Sequence, residues 1–187
     1  MAQDSAPKTA EHADRYSRTA RLLHWLSAAI ILLLVIPMGL WLAYFRPESE
    51  PLKMRLYNLH ESFGMLILLL ALMRLAYRLI RPAPSWPADT PLAVIRLARI
   101  SHASLYALLI LMPVSGFLAT NAWGFPLSLF NLLPLPSPIG KDEAIAKILS
   151  TVHWSGAALL GVLILSHLAG AILHRHIRRD SLARRMF

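Results

Sequence analysis

The chain has 187 residues, of which 56% are hydrophobic and only 16% are charged, with 19 Lys and Arg against 10 Asp and Glu. A soluble domain carries about 25% charged residues, so this composition and a mean hydropathy of +0.51 point to a small polytopic membrane protein in a single bundle. The absence of cysteine excludes disulfides, thiolate metal sites and thioether-linked prosthetic groups, and the positive-inside rule explains the net charge of +9 better than nucleic acid does.

Residues 1–21 form a polar tail ending in Arg15, Tyr16, Ser17, Arg18 and Arg21. Acids are mixed with its bases and the run that follows is long enough to span, so no cleavable signal peptide is expected. The first apolar run covers about 22–45, with a bend expected at Pro37 that neighbouring helices can tolerate. A short polar loop follows, with Arg46, Glu48, Glu50, Lys53 and Arg55. The second run covers about 57–80, and Pro82, Pro84 and Pro87 break the chain after it. Residues 92–100 read as an amphipathic lead-in to a third run at about 101–121, bent at Pro113. The connection 122–148 is proline-rich and apolar; it is expected to lie at the interface as a lid, with Trp123 as an anchor. A fourth run covers about 150–174.

The predicted fold is therefore an all-α transmembrane four-helix bundle. It comprises a polar tail (1–21), the four-helix domain (22–176) and a basic tail (177–187). Thirteen Lys and Arg fall in the two tails and the second connection, against five in the first and third connections. That imbalance places both termini in the cytoplasm.

Histidines lie inside these runs at matched depths. Imidazole is costly in hydrocarbon unless it binds something, so such residues are functional candidates. His153 and His167 are 14 residues apart on one helix, about 21 Å along the axis and nearly on one face. His60 shares the outer depth with His153. His24, His102 and His167 share the inner depth, which leaves three combinations for an inner pair. The ordinary reading of one such histidine is an interhelical hydrogen bond; pairing at two depths favours two stacked b-type haems. Gly64, Gly156 and Gly170 lie one turn from candidate ligands, where a flat ring would need space, although glycine also serves close helix packing. Arg74 follows His60 by 14 residues and so lies at the inner depth. It would meet a haem propionate there or snorkel to the surface with Arg78 and Arg81. His12, His174 and His176 read as solvated. A cation or proton pathway would need buried carboxylates, and only Glu61 approaches a helix interior.

Several segments carry a resemblance to the bacterial cytochrome b561 family: RYSRTARLLHW (15–25), LHESFGMLILLLALMRLAYR (59–78), SHASLYALLILMPVSGFL (101–118), HWSGAALLGVLILSHLAGAILH (153–174) and RDSLARRM (179–186). The resemblance implies two non-covalent haems b with bis-histidine ligation. It assigns the inner haem to His24 and His167 and the outer to His60 and His153. It makes His102 a non-ligand near a propionate or a quinone head group. It also implies a quinone as substrate, superoxide as one small donor, and a multi-pass location in the bacterial inner membrane. Bis-histidine iron has no open position, so it should pass electrons without binding oxygen. Two alternatives are a cytochrome b relay subunit for a dehydrogenase or hydrogenase partner, and a non-redox membrane transporter that binds no haem. The outer loops hold five Lys and Arg against four Asp and Glu, a weak field for steering an anion.

Overall fold

The computed structural model describes residues 15–45 and 50–186. The first fourteen residues, with His12, and the loop positions Arg46 and Glu48 lie outside that description. Four helices are long and apolar enough to cross a membrane: α1 (Arg18–Tyr44), α2 (Glu50–Ile80), α3 (Leu92–Trp123) and α4 (Glu143–Ile177). Each packs on its neighbour in sequence, and α3 and α4 share the most extensive contact. Ile30, Ile31, Ile67, Leu70, Ala71 and Leu109 form the buried core, with Ile164 of α4 packed against it. By residue count this core lies between the two histidine depths. Leu33, Leu79 and Leu165 are exposed on the outside of the helices, as a lipid-facing surface requires.

The helices overrun the apolar stretches. Glu50, Lys53 and Arg55 belong to α2 rather than to a loop, and the 92–100 lead-in is continuous with α3. Glu143 and Lys147 open α4. The physical reason is that an apolar run measures only the hydrocarbon crossing, about 20 residues. Backbone hydrogen bonding continues into the headgroup region, where charged side chains are solvated. The ends are set by capping. Ser17 accepts the Ala20 amide at 3.2 Å, and Asp142 accepts those of Ala144 and Ile145 at 2.9 and 3.0 Å, which satisfies amides the first turn leaves unpaired. Gly124 ends α3 at φ 91°, a left-handed conformation that glycine adopts without strain.

Pro37 lies between two π turns, Ile31–Val35 and Trp41–Phe45. Proline has no amide hydrogen and crowds the carbonyl one turn back, and a widened turn relieves that conflict. Pro113 sits within α3 without interrupting it.

Two segments cover the ends of the bundle. Between α3 and α4 the chain forms a two-residue antiparallel ladder, β1 (Ser128–Leu129) with β2 (Leu133–Pro134), a small addition to an otherwise helical fold. This lid is fastened to α2: Asn58 Nδ2 donates to the Ser128 carbonyl at 2.6 Å, and the Phe130 amide donates to Ser62 Oγ at 2.8 Å. Trp123 donates to Ser150 Oγ at 3.1 Å, bracing the start of the connection on α4. At the opposite end the C-terminal tail folds back. Its Arg185 carbonyl accepts the Tyr16 amide at 3.1 Å, and its Met186 carbonyl accepts Trp25 Nε1 at 2.8 Å. Both described ends of the chain therefore lie at one end of the bundle.

Candidate functional site

Five of the described helix histidines gather into two groups. At the lid side, His60 of α2 and His153 of α4 face each other with ring centres 6.3 Å apart. At the tail side, His24 of α1 and His167 of α4 are 6.2 Å apart, and His102 of α3 is 5.5 Å from His167. The 14-residue spacing thus does put the two α4 histidines on one face, each looking inward at a different depth.

The lid-side rings share one mode of support. His60 Nδ1 lies 3.1 Å from the Val35 carbonyl of α1, and His153 Nδ1 lies 3.0 Å from the Met112 carbonyl of α3. A carbonyl only accepts, so Nδ1 carries the proton in each ring and Nε2 keeps its lone pair. One turn beyond each carbonyl comes a glycine. A methyl group on Gly39 would reach within 3.0 Å of His60 Cε1, and one on Gly116 within 2.9 Å of His153 Cε1. Each ring is therefore seated on the bare backbone of the next helix. Pro37 and Pro113 lie within the same two turns.

These seats are not legible from residue type. Gly64, Gly156 and Gly170 stood out in the sequence because they lie near histidines along the chain, whereas Gly39 and Gly116 reach theirs across helices. Of the three, Gly156 packs against Met112, whose Sδ would stand 2.5 Å from an added methyl, so its evident role is close approach of α4 to α3. Nothing lies within 4 Å of a methyl added at Gly64 or Gly170, which leaves open space beside His60 and His167. The lid-side rings line a cavity of about 1730 Å³. Gly64, Arg55, Leu127 and Glu61 also line it, and the Glu61 carboxylate accepts Thr120 Oγ1 at 2.6 Å.

At the tail side, Arg74 Nη2 stands 3.1 Å from His24 Nδ1, and its guanidinium carbon lies 5.4 Å from the centre of the Tyr106 ring. Guanidinium only donates, so Nδ1 accepts here and the His24 proton sits on Nε2. Arg74 thus points into the histidine cluster rather than out to the surface. His174 was expected to be solvated; instead it pairs with Asp180 Oδ2 at 2.6 Å, because the tail turns back beside the helix end.

A family model described as prokaryotic cytochrome b561 matches residues 15–187. The chain belongs to the prokaryotic cytochrome b561 family. Among curated relatives of this cytochrome b561, cytochrome b561 homolog 2 of Escherichia coli is 31% identical over 177 residues, covering 92% of this chain and 91% of the relative. Cytochrome b561 homolog 1 of the same organism is 25% identical over 177 residues, covering 92% and 97%. The probable superoxide oxidase CybB of Yersinia pestis is 27% identical over 173 residues, covering 92% and 95%. Membership makes the chain a membrane electron-transfer protein that binds haem b. The donor chemistry fits that group: paired imidazoles lie inside the bundle, and at the lid side each ring has Nε2 available and a cavity beside it.

Proposed function

We propose that this cytochrome b561 carries electrons across the bilayer through two haems b, His60 and His153 holding one and His24 and His167 the other. The observation that carries this reading is the equality of two separations. A metal-bound imidazole nitrogen sits about 2.0–2.1 Å from its metal and the ring centre about 1 Å further, so two imidazoles that would hold one metal between them need centres roughly 6 Å apart. The 6.3 and 6.2 Å separations match that distance at both depths. His102, closer to His167 at 5.5 Å, is left as a neighbour of the pair. When bound, each haem supplies a one-electron couple without an open coordination position.

The residues of the chain supply orientation and charge. The Val35 and Met112 carbonyls hold the lid-side rings in the tautomer that ligates through Nε2. His24 can offer Nε2 only once its Nδ1 gives up the Arg74 contact, and Arg74 then needs an anionic acceptor; we assign it a propionate. The redox unit is the helical domain of residues 22–176, placed in a bacterial inner membrane with both tails in the cytoplasm. The electron acceptor is a quinone, which takes up two electrons and two protons. The donor at the lid side is a small reductant, and the name of the Yersinia relative, a probable superoxide oxidase, points to superoxide, which releases dioxygen on losing one electron. Arg55 at the cavity wall is a cation suited to such an anion.

The test is a dithionite-reduced minus oxidised spectrum of purified protein, with haem counted per chain. Two haems are expected, and His60→Ala and His167→Ala should each remove a different one. A chain that takes up no haem under ample supply would overturn the redox reading in favour of transport. The relay alternative draws on the lid tip, where Leu132 is 85% exposed beside exposed Leu133; stoichiometric copurification of a redox subunit would favour it.

A further inference from the structure

At the tail side, a second cavity of about 390 Å³ is lined by Arg15, Arg175, His176 and Arg184. We propose that it is a binding site for the phosphate of an anionic phospholipid. Three separate stretches of chain build it: the residue leading into α1, the last turn of α4, and the C-terminal tail. Bonds between these stretches hold them together against the repulsion of like charges. The Tyr16 amide donates to the Arg185 carbonyl at 3.1 Å, which sets Arg15 beside Arg184. Asp180 turns the tail by binding His174 at 2.6 Å and the Leu182 amide at 3.1 Å. Arg179 takes φ 54° at the reversal, and Arg185 reaches across to the Ser85 carbonyl.

Depth argues for a lipid. Arg175 lies eight residues beyond His167, about 12 Å further along the helix, where a span from the bundle interior meets the headgroups. Trp25, whose indole bonds to the tail, is a residue type that favours that level. Exposed Leu22, Ile172 and Ile177 lie on the same two helices and give acyl chains an apolar surface. Basic pockets at this level bind anionic headgroups. Guanidinium forks match a phosphate through two parallel bonds.

The probe is phosphatidylglycerol, with phosphatidylcholine as the neutral comparison, scored by native mass spectrometry on the full-length protein from detergent. Wild type should retain phosphatidylglycerol in preference to phosphatidylcholine. Arg175→Gln with Arg184→Gln should retain it roughly 5- to 30-fold less well. Arg96→Gln with Arg99→Gln, which removes the same charge from exposed positions on α3, should retain it fully. Arg15→Gln, outside every helix, should weaken it in the same direction and serves if the double variant fails to fold. Equal retention by all proteins, or equal loss from both double variants, would overturn the site. Binding of millimolar inorganic phosphate with no advantage for the lipid would make soluble phosphate the ligand and overturn the lipid assignment. None of these readouts depends on haem content.

Discussion

An imidazole has two nitrogens, and the bond made by one decides what the other can do. His60 and His153 commit Nδ1 to backbone carbonyls of neighbouring helices, and a glycine one turn on leaves the ring its place. A methyl at Gly116 would stand 2.9 Å from His153 Cε1 and 3.1 Å from Nδ1, so in Gly116→Ala the ring must shift and the Met112 bond lengthen. Overpacking of this kind costs about 1–3 kcal/mol. We expect weaker retention of the lid-side haem, with an altered spectrum for that haem alone, while Gly140→Ala, where an added methyl meets nothing within 4 Å, leaves the spectrum unchanged. An unchanged Gly116→Ala spectrum would refute the ring seat. His102 supplies the complementary case. If the His24 and His167 pair holds the tail-side haem as proposed, His102 is only its neighbour, and His102→Ala should keep the wild-type haem count. Loss of one haem per chain would make His102 the ligand in place of His24. The paired histidines were legible in the sequence because depth and helical period are both readable from one strand of letters. The carbonyls, the seating glycines and the choice among three tail-side histidines depend on register between helices, which no single run records.

Elements inherit their limits from different forces, and that decides which of them could be read in advance. The number and order of the helices follow from apolar runs long enough to cross hydrocarbon. Their ends lie beyond those runs: Ser17 caps the start of α1 and Asp142 that of α4, and α2 and α3 also begin before their apolar stretches. The hairpin in the lid is two residues per strand and its stability comes from α2, through bonds between residues about 70 positions apart. Ser62 is fully buried, and its hydroxyl is the acceptor for the Phe130 amide. Ser62→Ala would strand that amide, at a cost of about 1–3 kcal/mol, and Asn58→Ala would release the Ser128 carbonyl. The double variant should therefore be cut faster by protease between residues 125 and 137, with the helices intact. If the lid walls the cavity beside His60 and His153, a membrane-impermeant reductant should also reach that layer several-fold faster in the variant. Faster cleavage with unchanged reduction would mean that the lid does not control access.

For the whole molecule the remaining question is direction across the membrane. The fold joins the N-terminal segment, the α2–α3 connection and the C-terminal tail at one end. With the helix ends that adjoin them, from Arg78 to Arg99 and from Arg175 onward, these segments hold thirteen Lys and Arg, against five on the lid side from Arg46 to Arg55 and from Lys141 to Lys147. By the positive-inside rule a bias of that size favours the proposed orientation, with the basic end in the cytoplasm. A reporter that is active only outside the cytoplasm, such as alkaline phosphatase, should be silent when fused after Phe187 and active when inserted at Gly140, by at least about tenfold. The opposite pattern would invert the assignment and, with it, the side from which a donor approaches. The same orientation makes a kinetic statement. His153 and His167 stand about 21 Å apart along one helix, so on the proposed two-haem route an electron entering beside the lid would cross most of the hydrocarbon before it leaves. In right-side-out vesicles an impermeant reductant should therefore reduce the lid-side haem first, and His167→Ala should stop the electron there without slowing its entry. Equal rates of reduction for the two haems in sealed vesicles would mean that both are reached from one side, which the separation of the two histidine layers argues against.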